Sequence, residues 1–595
     1  MRLRDTLICL LCIALTAALL AAAASQLDYI NQARKDMKLI SNEPLENAPP
    51  SLAFVTVAMG AFRGLVVDIL WLRAENLKEQ GQFFDARQLA EWITMLQPRF
   101  ISVWDFHAWN MAYNISVTMP ASQPYERWRW IKNGMELLRD QGIPKNPNAI
   151  ILYRSLAWIF QHKMGGITDD AHRYYKLQMS QAMKPLLGPQ TNEYFDKLAA
   201  APGKLEELLK NPSVQQIVDM LGAADERFKD KNSFIENYVT LRTNPMLFDS
   251  NEAFAVIDHF RGTDQLEMLD VFANAYQLRN TWKLDLNLMI EINKKYGPVN
   301  LKDPNEHLPL NWEHPDSHAI YWAVKGLQVA SKEEYSIEEL NTDRIIIHSL
   351  QNLFRQGKII IETIPVEPPS DETFQSDKKS SPLFANMVFL HPDLRIFESY
   401  NKVALDLIEK YEQLKGNVEA LQHGHRNMLK NAVVLFYQAN HKQYAQKIYN
   451  ELRELYPRED VNLPLEQFVR NKLIDELESL DIKDAKEIIL AVLSEAYYYY
   501  TLHQDDEAFG RENMAMEIYE NYQAEWADED VPRVNLPAFS LLRYIALDSF
   551  LQDDLYPLEL RQALLNRIRV ERPKLYDELH ALYQSDMEKQ QQQQE

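Results

Sequence analysis

The chain has 595 residues, 46% of them hydrophobic and 25% charged, with a formal net charge of −22. This is enough apolar material for a large core and length for roughly four average domains, while the acidity argues against nucleic acid as a partner, because phosphate backbones repel it. Only 17 glycines occur, and the wealth of Leu, Ala, Glu, Gln and Lys points to an all-α fold.

At the N-terminus, Arg2 and Arg4 precede an uncharged run from Thr6 to Ala24. A basic start followed by an apolar stretch is an export signal, and its length is near the ~20 residues that span a bilayer core. Ala22-Ala23-Ala24 before Ser25 offers a small-residue cleavage site. The run exceeds the roughly 7–15 apolar residues of a cleaved signal, and Leu27, Ile30, Ala33, Met37 and Ile40 continue a helical stripe beyond it. These features favour an uncleaved signal anchor over residues 1–24. The positive-inside rule then places the body on the periplasmic side of an inner membrane. The two cysteines, Cys9 and Cys12, lie inside this run as small apolar residues, so the body holds no disulfide, thiolate nucleophile or Cys-ligated zinc.

Residues 52–72 form a second apolar stretch, interrupted by Arg63 and Asp68. Each of those charges costs about +2.5 to +3.5 kcal/mol near a bilayer centre, which cancels the gain from the surrounding apolar side chains. The expectation is a helix buried by protein that leads into the body, with a second membrane span as the alternative.

An internal similarity follows. In residues 67–98, Leu70, Gly81, Ala86 and Pro98 have the spacing of Leu429, Asn440, Ala445 and Pro457 in residues 426–457. Gly and Asn tolerate the left-handed backbone of a tight turn. The alanine permits close approach of two helices, and the proline ends the second helix. Together with Ala74 and Tyr449, these positions resemble the tetratricopeptide repeat family. Val433 departs from the small residue that the family favours at the position of Ala74, and Ala90 departs from the aromatic that stands at Tyr449. The apolar lead-in with LQPRF also looks like membrane-anchored bacterial repeat proteins. The resemblance implies a right-handed helical solenoid that binds protein partners along a concave surface.

Further helix pairs are expected at 101–118 with 125–141, at 149–164 with 169–183, and at 314–330 with 341–356. The Trp side chains at 104, 109, 128, 130 and 158 are expected to pack between them. The repeat signal fades over 186–364, which reads as a degenerate, inserted helical region. KIIIETI (358–364) and ANMVFL (385–390) allow one small β-hairpin. The Pro-, Ser- and charge-rich segment 365–382 reads as the main linker. It separates an N-terminal repeat-like region (25–185) and the degenerate region from a C-terminal repeat-like domain (383–589). In that domain Ala515 and Tyr519 suggest a further unit, the run Tyr497–Tyr500 encircles a helix with an adhesive face, and 590–595 is a polar tail.

No phosphate loop, zincin motif, nucleophile elbow or dinucleotide fingerprint occurs. His314 and His318, four apart beside Glu313, are the best metal candidates. Pro315 instead suggests a helix start there, with Asp316 favourable near the positive end of its dipole. His162, Asp169, Asp170 and His172 form a second cluster, better explained as two helix ends meeting with an Asp cap. His423-Gly424-His425 reads as a loop or cap. The sequence thus points to a non-catalytic scaffold of the cell envelope with no cofactor. It would hold a protein partner and contact the membrane through its N-terminal helix. A metal-dependent hydrolase using His314 and His318, or a two-span membrane accessory protein with a cytoplasmic body, are the alternatives.

Overall fold

A computed structural model describes Thr16 and residues 63–594, apart from 232, 244–247, 249, 302, 331–335, 367–382, 415, 459–460, 479–484, 526–535 and 554–555. The expected anchor, both cysteines and most of the linker lie outside the described residues. Among the described residues no helix is long and apolar enough to cross a membrane. The described residues are predominantly helical, with two small hairpins of strand among them. Two compact units are present: 1–159 with 325–330, and 160–324 with 331–595.

In the first unit, α1 (Arg63–Glu79) and α2 (Phe83–Leu96) form a helical hairpin, followed by α3 (Ile101–Trp109), α4 (Pro124–Leu137) and α5 (Ile150–Trp158). Gly81 closes the first hairpin at φ +76°. Its N–H donates to the Lys78 carbonyl (3.0 Å) and that of Gln82 to the Leu77 carbonyl (2.8 Å). These two bonds satisfy carbonyls that the end of α1 would leave orphaned. Ala74, Ala86 and Ala90 are fully buried where the two helices meet. Burial of the lead-in by protein does not hold for its described part: Val67 is buried, but Leu65, Ile69 and Leu72 are more than half exposed. One stripe of α1 meets α2, and its opposite face is left open.

Helices α3, α4 and α5 each run on into a π-helical segment, at Asn110–Ile115, Leu138–Gly142 and Ile159–Gly165. Gly134 brings α4 against this region closely. A Cβ there would fall 2.8 Å from the Ala108 carbonyl and 3.3 Å from the Ala112 Cβ.

The second unit begins with α6 (His172–Leu187) and α7 (Asn192–Ala200). It continues through α8 (Pro212–Ala224), α9 (Phe234–Thr243), α10 (Asn251–His259), α11 (Asp264–Asn280) and α12 (Leu286–Tyr296). Helices α7, α8, α10, α11 and α12 start on polar caps: the side chains of Thr191, Asn211, Ser250, Thr263 and Asp285 accept from backbone amides of the first turn. The degenerate region has a core of its own, with Val214, Ile217 and Leu221 of α8 against residues such as Phe234, Tyr238, Leu269 and Phe272.

Two strand hairpins follow where the sequence suggested one. β1 (Val299–Asn300) pairs antiparallel with β2 (Asp303–His307), and β3 (Lys358–Val366) with β4 (Leu383–His391), in a register that sets Lys358 opposite His391. Between them stand α13 (Pro315–Leu327) and α14 (Ile337–Gln356). The 365–382 segment therefore joins two paired strands of one unit and is not a boundary between domains. A hairpin connection and an interdomain linker share the same composition, so composition does not tell them apart.

The chain then forms α15 (Phe397–Gln413), α16 (Glu419–Gln438), α17 (Lys442–Leu455), α18 (Leu465–Glu478), α19 (Ala485–Thr501), α20 (Asp505–Glu525), α21 (Phe539–Gln552), α22 (Leu558–Glu571) and α23 (Pro573–Gln594). The turn between α16 and α17 repeats the first one. Asn440 has φ +62°, its N–H donates to the Tyr437 carbonyl (3.0 Å), and that of His441 donates to the Phe436 carbonyl (2.9 Å). Leu429, Val433, Ala445 and Tyr449 are all buried, and the Tyr449 hydroxyl donates to the carbonyls of Val461 and Leu463. Val433 fills the space of a small residue without opening the hairpin.

A third turn of the same kind joins α19 and α20. His503 has φ +56°, and the N–H groups of His503 and Gln504 donate to the carbonyls of Tyr500 and Tyr499. Ala496 and Ala508, both buried, hold the places of Ala74 and Ala86. The signature is therefore offset from the Ala515–Tyr519 pair that the sequence suggested, because a histidine occupies the turn.

Three further expectations are corrected. His423–His425 lie inside α16, where Glu419–Gln438 is continuous helix. None of Tyr497–Tyr500 is exposed, because Arg511 and Arg567 cover the rings of Tyr499 and Tyr500. Helix α23 runs to Gln594, so the glutamine run continues a helix, as its propensity allows.

Candidate functional site

The first unit holds an open cavity of about 570 Å³. Its walls follow from helical periodicity. Arg87, Glu91 and Thr94 share one face of α2, as do Trp104 and His107 on α3, and Asn133, Glu136 and Leu137 on α4. Two of the π-helical segments complete the lining, with Met111 from one and Asp140 and Gln141 from the other. Such segments sacrifice regular backbone hydrogen bonding and recur at functional sites.

Trp104 is fixed at the floor. It is buried, and its indole N–H donates to the Pro98 carbonyl (2.9 Å), which also accepts from the Asn146 amide (2.9 Å). The carboxylates on the walls have partners: Asp140 accepts two bonds of 2.8 Å from Arg139, Glu136 lies 3.7 Å from Arg139, and Glu91 lies 3.7 Å from Arg87.

His107 is different. It is only 3% exposed, and neither ring nitrogen has a hydrogen-bond partner among the described residues; the same holds for the buried Nε of Arg87. Burial, with the Arg87 charge adding to it, lowers His107 to about 3, so the ring is neutral at physiological pH and offers one donor and one acceptor. Leaving such groups unpaired costs roughly 1–3 kcal/mol each. Nothing in the sequence marks this. A histidine between Trp104 and Met111 on an apolar face reads as core, and only the fold reveals that both its nitrogens are buried without a partner among the described residues.

The second unit places the sequence candidates elsewhere. His314 and His318 are fully buried, and α13 begins at Pro315, leaving His314 outside it. His314 Nδ1 accepts from the Asp316 amide (3.2 Å), whereas His318 Nε2 faces the Trp312 carbonyl (3.0 Å) and its ring stacks on Phe160. Burial, then the Lys176 charge, holds His314 well below its usual value.

The other histidine cluster assembles around cations. Lys163 donates to Asp169 (2.6 Å), which also accepts from the Ala171 amide and the Tyr175 hydroxyl. Those partners outweigh burial and lower the Asp169 carboxyl. Asp169 thus bonds the backbone where α6 begins. His172 Nδ1 lies 3.4 Å from Lys176 Nζ, and burial with that charge lowers it to about 4.

Lys176 itself is wholly buried and donates to the carbonyls of Met164 (3.1 Å) and Gly166 (2.9 Å). Asp316, equally buried, accepts from Asn352 (3.1 Å). Gly165 makes room for it: a Cβ there would lie 2.5 Å from Asp316 Oδ2. Burial pushes Lys176 down and Asp316 up. This is a closed polar core. Among the described residues, no group of three or more His, Cys, Asp and Glu side chains is arranged to hold a metal ion.

No family model and no curated protein matches the chain.

Proposed function

We propose that the chain is an exported, membrane-anchored scaffold, built as an α-solenoid of tetratricopeptide-like helix pairs. Its first unit holds a polypeptide partner of the bacterial envelope, and it catalyses nothing. The observation that carries this reading is the cavity between α2, α3 and α4. The three similar turns at Gly81, Asn440 and His503 support a repeat origin for the helix pairs. The charged run-up to residues 6–24 supports export and anchoring.

The test compares the full chain with an Asn133→Trp variant that obstructs the cavity mouth. Proteins recovered with the wild type at constant yield, and lost with the variant, fit the proposal. Unchanged recovery by a folded variant contradicts it.

A further inference from the structure

The second unit holds a smaller cavity among α21, α22 and α23, about 200 Å³ in volume. Tyr544, Leu547, Asp548 and Leu551 follow one another at steps of three, one and three residues, so they share one face of α21. Leu565 and Ile568 of α22, with Leu579 and Tyr583 of α23, close the other sides. Leu547, Ile568 and Leu579 are buried, whereas Leu565 and Tyr583 are 38% and 47% exposed and mark the mouth. The wall is apolar, with one carboxylate set in it.

That carboxylate has bonding capacity to spare. Asp548 Oδ2 accepts from the Gln552 carboxamide (2.8 Å). Its Oδ1 has no hydrogen-bond partner among the described residues and is not shut off from solvent. No lysine or arginine lines the cavity, and Asp548 forms no ion pair among the described residues. A charge beside apolar walls attracts a counter-ion more strongly than one in open water, because less solvent screens it. A metal ion fits poorly, since Ca²⁺ and Mg²⁺ need several oxygen ligands and this wall is mostly hydrocarbon. An anion would meet like charge.

We propose that this cavity binds an organic ammonium ion, its positive group at Asp548 and its apolar body against Leu547, Leu551, Ile568 and Leu579. Tyr583 suits both halves of such a ligand, because an aromatic ring packs on apolar groups and also attracts cations. The net charge of −22 favours the approach of a cation. The site lies in the second unit and does not rest on the scaffold reading.

The experiment titrates the full chain, by calorimetry, with three probes of similar shape: phenethylammonium, phenethyl alcohol and hydrocinnamate. The ammonium should bind about tenfold more tightly than the alcohol, the worth of one hydrogen bond to a charged group, and hydrocinnamate should bind least. Asp548→Asn should remove that preference and leave the alcohol unchanged. Asp577→Asn, at an exposed position outside the lining, removes the same charge and should change neither, which separates the site from the general acidity of the chain. Thermal melts verify that both variants fold. Tighter binding of Nα-acetyl-lysine methylamide than of butylammonium would place the charge on a polypeptide side chain, and the reverse on a free amine. No binding of the ammonium probe, equal binding of ammonium and alcohol, or equal losses in the two variants would overturn the proposal.

Discussion

The Arg87 guanidinium and the His107 imidazole line one cavity, and each carries a buried nitrogen that meets no hydrogen-bond partner among the described residues. The pair is also linked electrically, since the Arg87 charge adds to burial in keeping His107 neutral. Their state therefore shows in the stability of the chain.

His107 titrates at about 3 in the folded chain, against about 6.5 when unfolded. Below pH ~6.5 the unfolded ring takes up a proton that the folded ring refuses. The stability carried by the neutral ring is thus complete above that pH and is lost as pH falls toward 3. Between pH 7 and pH 4 the wild type should lose about 3 kcal/mol more than His107→Phe. Urea unfolding of both proteins at the two pH values measures the difference. Equal losses would mean that the ring is solvated.

The turn at Asn440 needs a left-handed residue. Asn440→Gly should leave the melting temperature unchanged or slightly raised, whereas Asn440→Val should cost about 1–2 kcal/mol. If both variants melt alike, the turn is not the one described.

Gly510 of α20 packs on the backbone turn after α16, where a Cβ would overlap the Gln438 carbonyl. Gly424, inside α16, faces open space. Gly510→Ala should therefore destabilise by about 1–3 kcal/mol, while Gly424→Ala should stabilise by about 0.5–1 kcal/mol. Denaturant midpoints of the two variants should move in opposite directions.

Lys176 and Asp316 are both wholly buried. The Asp316 charge acts on Lys176, and Lys176→Met would also leave the carbonyls of Met164 and Gly166 without their donor, so it should cost about 1–3 kcal/mol. Adding Asp316→Asn should recover part of that loss. A double variant no more stable than the single one would show that the two groups do not interact.

The helical class, the two spaced hairpins and the helix start at Pro315 were legible in the sequence because each rests on local chemistry. Periodicity, a turn residue with a left-handed backbone and a proline at the first helical position act within a few residues. The third hairpin escaped because His503 adopts the turn without being a residue that advertises it. The 365–382 segment misled because strand pairing across it is a long-range event. His107 was invisible for a stronger reason: the absence of partners is a property of everything packed around a side chain, and no window of sequence contains it.

The most direct test of a partner-holding cavity in the first unit is site-specific photocrosslinking in cells that make the protein. A photoreactive residue is placed at Asn133 or Gln141, both on the cavity wall, and at exposed Glu75 of α1, which does not line the cavity, as control. The account predicts a discrete protein adduct from 133 and 141, absent at 75. Adducts equal at all three positions, or none at the cavity, would contradict it.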